Sequence, residues 1–156
     1  MVASTGNSMI SRQAVRRLGL EFDTSLALAG GEDTLFFLQA GRGGIETAFA
    51  ADAVAHEQVV PGRLTLWRLL RRQFRFGNTL SICDLALGAS LGERSVRLAK
   101  GCALIGQGLL LLPLAPFRGM GGLAHALGRL ARGLGTLTGL AGHRFEEYRR
   151  DRNLDV

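Results

Sequence analysis

The sequence predicts an α/β fold over residues 1–60, followed by a mainly α-helical remainder over residues 61–156. Three observations carry that expectation. Apolar and polar residues alternate through "IETAFAADAVAHEQVV", residues 45–60, with the period of a strand. Apolar residues at helical spacing stand directly behind the glycine pair of "AGGEDTLFFLQAGRGG", residues 29–44. From Pro61 onward the pattern is helical, and residues 101–117 carry no formal charge.

Each element has its own local reason. "TGNSM" reads as a short extended piece, and Ser11 then serves as N-cap of a helix closed by Gly19. Gly30 and Gly31 allow a tight turn into a helix that starts near Glu32, where acids suit the positive end of the helix dipole. "GRGG" stops it. The segment "GRLTLWRLLRRQFRFGNTLSICDLAL" is one amphipathic helix or two, with Arg68, Arg72 and Arg75 on one face and Leu66, Leu69, Leu70 and Phe74 on the other. A further helix begins near Gly92 and carries Arg94, Arg97 and Lys100. Pro113 and Pro116 interrupt the uncharged run near its end.

Three segments follow: residues 1–60, an Arg-rich amphipathic part at 61–100, and an apolar, Gly-rich part with a polar tail at 101–156. Charge divides along nearly the same lines. Residues 1–57 are net −3, residues 58–100 net +6, and residues 101–156 net +3. All but one of the nineteen basic residues are Arg, a type suited to bidentate phosphate contact, though coding bias yields the same excess. Basic residues are not interleaved with stacking aromatics, which argues against a nucleic-acid-binding module. Cys83 and Cys102 lack metal-type spacing and read as buried free thiols in a reducing compartment. No signal peptide is visible, and the abrupt start suggests a fragment of a longer protein. Seventeen helical residues span roughly 25 Å against about 30 Å of hydrocarbon, so residues 101–117 suit a re-entrant or interfacial segment, with a buried core helix as the alternative. The glycines beyond it permit close helix contact in lipid, and an interfacial amphipathic helix is equally consistent.

Glu32 and Asp33 at a helix start are explained by the dipole alone, a contribution below about 2 kcal/mol. The motifs around them suggest more. "TGNSMISR" comes first, then "FDTSLALAGGEDTLFFLQAGRGG", then "AFAADAVAHEQV", then an Arg-rich helix with "RRQFRFGN". This order resembles the C-terminal half of inverting family-2 glycosyltransferases of the GT-A fold, the group that builds bacterial polysaccharides and modifies lipids. The resemblance covers residues 4–80 well and the apolar tail more loosely.

The resemblance implies a partial GT-A domain and sugar transfer from a nucleotide-sugar donor to a saccharide or lipid-linked acceptor. Asp33 matches the family's general base, the group that takes the acceptor proton during attack at the anomeric carbon. Glu32 would help bind the acceptor or orient the base. Gly6 and Asn7 would face the donor, and Arg72, Gln73 and Arg75 would bind substrate and neutralise the departing nucleoside diphosphate. His56 would ligate a divalent ion, Mg or Mn, although a lone histidine also reads as a hydrogen-bonded strand residue. Gln73 and Arg75 are two apart with no Trp following, which favours single addition over a processive synthase. The nucleotide-binding half and its Asp-x-Asp are missing, because Glu21 and Asp23 follow the "TGN" stretch instead of preceding it. The chain is therefore expected to be inactive alone, to work with a separate donor-binding chain, and to lie on the cytoplasmic face of a membrane. The alternative is a non-catalytic membrane-associated protein that holds anionic lipid through its arginine face.

Overall fold

The computed structural model describes residues 5–26, 29–56, 58 and 65–146. Five helices make up its frame: α1 (Arg12–Leu18), α2 (Glu32–Arg42), α3 (Leu66–Ala86), α4 (Leu91–Leu111) and α5 (Ala115–Leu140). Single 3-10 turns lie at Thr5–Asn7, Thr24–Leu26 and Leu112–Leu114. Among the described residues there is no strand and no sheet, so the α/β expectation, and the partial GT-A domain with it, is overturned. The "TGN" stretch is a 3-10 turn. The alternating segment offers its apolar side chains to solvent, Phe49 at 78% and Val54 at 70% exposure. A strand needs a neighbour to take up its backbone hydrogen bonds, and among the described residues no strand lies beside this one. Local turn bonds form instead, from Ala53 N to Ala50 O and from Val54 N to Asp52 O. The last part of that segment, residues 57 and 59–60, lies outside the described residues.

Helix ends follow their chemistry. The Ser11 hydroxyl accepts from Ala14 N, and Gly19 closes α1 in the left-handed region at φ 58°. α2 runs from Glu32 to Arg42, as its glycine-rich flanks predict. The α3 segment is one helix, begun by Thr65 accepting from Arg68 N. Its buried face is made by Gly77, Asn78, Thr79, Ser81, Ile82 and Cys83; Leu69 of the expected apolar face is exposed. Ser90 and Glu93 form a reciprocal capping box at the start of α4. Pro113 sits in the 3-10 turn and Pro116 in the first turn of α5. There a proline's missing N–H costs nothing, because the first helical donors have no partner inside the helix.

α5 is the centre of the helical part. Gly101 of α4 lies against Thr136 and Leu137, and Gly108 against Leu130, so α4 and α5 form an antiparallel hairpin. Gln73 of α3 lies beside Gly128, Gly77 beside Arg132 and Asn78 beside Gly139, so α3 runs parallel to α5. Between α3 and α5 the closest of these approaches are backbone to backbone. A Cβ on Gly77 would stand 2.0 Å from Arg132 O, and one on Gly135 2.0 Å from Phe74 O. Polar side chains bridge the same seam. Buried Asn78 donates to Thr138 Oγ1 (3.2 Å) and to His143 O (2.8 Å), and accepts from Phe145 N (3.0 Å). The Ser81 hydroxyl donates to Thr136 O at 2.9 Å. Small residues and hydroxyls at close helix contacts are the packing chemistry of helices in lipid. Within Leu91–Leu140 one stretch, at mean hydropathy 1.6 and with 17% of its residues buried, is apolar enough to cross a membrane by length and composition.

A second, smaller core joins α2 to α3 through Leu26, Leu35, Ile82 and Cys83, with Leu38 and Leu87 at its edge. Cys83 is buried there as a free thiol. Cys102 is free but exposed, contrary to expectation: Gly101 occupies the α5-facing position and leaves its neighbour outside.

Candidate functional site

The acidic pair sits where a turn meets a helix. Gly30 has φ 64°, a conformation open to glycine, and Gly31 packs so tightly on α3 that a Cβ would lie 2.7 Å from Thr79 Cγ2. Arg75 reaches from α3 to donate to Gly30 O at 3.2 Å. The Cys83 thiol lies 3.8 Å from Gly31 O. Together these contacts seat the Gly30–Asp33 turn on the middle of the arginine-bearing helix.

Both carboxylates are half-buried. Asp33 Oδ1 accepts from Thr34 N at 2.7 Å and from the Thr34 hydroxyl at 3.3 Å. Glu32 Oε2 is buried with no hydrogen-bond partner among the described residues. Burial pushes the Cys83 thiol up to about 12, and the negative charges of Asp84 and Asp33 add to that effect. The charge of Asp33 therefore reaches the α2–α3 core.

The other expected site residues are dispersed. Arg72 is exposed with its guanidinium 5.4 Å from the Phe76 ring centroid, and Arg75 lies at the same distance from that ring. Gln73 faces α5, its Cγ 3.5 Å from where a Gly128 Cβ would be. Gly6 and Asn7 lie in the first 3-10 turn, and Asn7 Nδ2 donates to Ala53 O at 2.8 Å. That bond ties the "TGN" turn to the segment that carries exposed His56. Among the described residues no hydrogen bond or ion pair joins Asn7 or His56 to the Glu32–Asp33 turn. No three His, Cys, Asp or Glu side chains there converge on a point that would hold a metal ion, and His56 alone does not make such a site.

Three contributors escaped sequence reasoning. Thr34 holds Asp33 through two hydrogen bonds, and a Thr after a Glu-Asp pair is too common to stand out. Thr79 and Cys83 form the seat for Gly31, and their role depends on a contact between distant parts of the chain. A shallow groove on α1, lined by Arg12, Gln13, Arg16 and Arg17, lies apart from the acidic turn.

No family model matches the chain, and no solved structure matches it. It is 41% identical over 75 residues to the succinoglycan biosynthesis protein ExoM of Rhizobium meliloti (strain 1021). The matched stretch is 48% of this chain and 24% of that protein, so the chain spans about a quarter of the relative's length.

Proposed function

We propose that the chain takes part in polysaccharide biosynthesis as a glycosyltransferase-like component, placing a sugar from a nucleotide-sugar donor on a saccharide or lipid-linked acceptor. The observation that carries this reading is the seat of the acidic turn, in which Arg75 ties Gly30 to α3 and so sets a carboxylate pair against an arginine-bearing helix. Partial identity to a succinoglycan biosynthesis protein supports the same reading.

Asp33 is the general base. As the acceptor oxygen bonds to the anomeric carbon, its proton passes to the carboxylate and the bond to the nucleoside diphosphate breaks. Thr34 fixes the orientation of that carboxylate. Glu32 holds the acceptor, whose hydroxyl supplies the donor that Glu32 Oε2 lacks among the described residues. Arg72 and Arg75 balance charge that builds on the leaving diphosphate. The nucleotide, with any divalent ion, is held by a donor-binding part outside these 156 residues, and the assembly works at the cytoplasmic face of a membrane.

The test is incorporation of labelled sugar into lipid-linked saccharide by membranes that carry this chain together with its donor-binding partner. Asp33→Asn lowers incorporation by about 10²–10⁴-fold, whereas Arg17→Gln on α1 leaves it unchanged. Equal incorporation by Asp33→Asn removes the base assignment. Robust transfer by the purified chain alone shows that these residues hold the donor themselves and removes that placement of the nucleotide. A non-catalytic, lipid-bound role is the second reading, favoured by the exposed apolar side chains of the α4–α5 hairpin, and it predicts no change with Asp33→Asn.

A further inference from the structure

The α4–α5 hairpin ends in a cap of largely exposed side chains. Leu109, Leu110, Leu114, Phe117 and Met120 surround the turn at Leu112–Leu114, with Leu110 exposed at 77% and Phe117 at 87%. Apolar residues are also exposed at the opposite end, at Leu91, Val96 and Leu98, but Glu93, Arg94, Arg97 and Lys100 are interleaved with them. The exposed side chains of the tip are apolar apart from Arg118, and no acidic residue lies among them.

A polar collar closes the cap from below. Arg129 donates to the Gln107 side-chain oxygen across the hairpin and to His125 Nε2 at 3.0 Å. From Gln107 to Leu112 the helix rises about 8 Å. α3 runs parallel to α5, so its first turns, with exposed Trp67 and Arg68, lie toward the same end, and Arg118 lies within the cap itself. A cap about 8 Å deep, bounded by Trp and Arg, fits one face of a bilayer: interfacial segments bury about 5–10 Å, and Trp prefers the headgroup level. Arginines at that depth meet anionic headgroups. A full crossing needs about 20 consecutive apolar residues and would carry Arg129 and Arg132 into hydrocarbon.

We infer that the hairpin enters one leaflet of an anionic phospholipid bilayer by its tip and does not cross it. This deepens the membrane association in the functional reading above and does not depend on Asp33.

Flotation of the full chain with vesicles of phosphatidylcholine containing about 30% phosphatidylglycerol tests it. The wild type floats with the vesicles. The double variant Leu110→Asp, Phe117→Asp binds at least about tenfold more weakly, while Leu91→Asp at the far end binds as wild type. All three substituted side chains are exposed, and unchanged helical circular dichroism shows that the fold is kept. Depth is read from Cys102, which lies ten residues before Leu112, about 15 Å along α4 from the tip. It stays reactive to a membrane-impermeant maleimide on vesicle-bound chain, because the inserted tip leaves it in water. Protection of Cys102, undiminished flotation of the double variant, equal loss with Leu91→Asp, or a wild type that self-associates in solution and ignores vesicles overturns the inference. A transferase defect in Asp33→Asn with normal flotation separates the two readings.

Discussion

Cys83 and Cys102 differ in chemistry because Cys83 sits in the core between α2 and α3, whereas Cys102 lies on the exposed side of α4. Burial and nearby carboxylates push the Cys83 thiol from its ordinary 9.0 up to about 12. A disulfide reagent at pH 8 is expected to titrate one thiol per folded chain, Cys102, and a second only on unfolding. The sign of the pH effect follows. The folded state holds the Cys83 proton more tightly, so that contribution to stability is complete below pH 9.0 and is lost between 9.0 and about 12. Asn78 is a second decisive residue. Truncation to Ala removes three hydrogen bonds that join α3 to Thr138, His143 and Phe145, at a cost of about 1–3 kcal/mol in urea unfolding. Nothing near Asn78 in the sequence flags that role, because its partners lie 60 to 67 residues away. Asp33 differs: its place at a helix start, behind two glycines, is readable from neighbouring residues alone.

Helix ends were legible for the same reason, since caps are local chemistry. Ser11, Gly19 and the glycines on either side of α2 mark boundaries that the structure keeps. At the start of α4 the Ser90 side chain and backbone N–H hold the Glu93 carboxyl below its ordinary 4.5. Its contribution is therefore present above pH 4.5 and lost as pH falls through the lowered value. Acid titration of helicity should show that step in the wild type and lose it in Glu93→Gln. How the helices meet is less legible. Glycines are frequent throughout the second half, but only those whose missing Cβ admits a neighbouring backbone hold elements together. Gly135→Ala is expected to cost about 1–3 kcal/mol, because its Cβ would fall 2.0 Å from Phe74 O. Gly106→Ala has open space and should stabilise α4 by up to about 1 kcal/mol. Unfolding of the two variants side by side checks both signs.

Across the whole molecule, the helical second half follows from its sequence pattern, and the first third departs from it. Period-two alternation describes a strand only where a sheet exists to receive it. Among the described residues no strand lies beside residues 45–56, and Phe49 and Val54 face water. The α3–α5 register, the parallel pairing of those helices and the seating of Gly31 on Thr79 are all long-range contacts. No single segment encodes them. What results is a glycine-packed helical frame with an acidic turn on its arginine-bearing helix and an apolar tip at one end.

The assignment of Asp33 is tested most directly by the polysaccharide output of cells in which Asp33→Asn replaces the wild-type chain. The account predicts output reduced at least about tenfold, with chain abundance and membrane fraction unchanged. Wild-type output from the Asp33→Asn chain would contradict it.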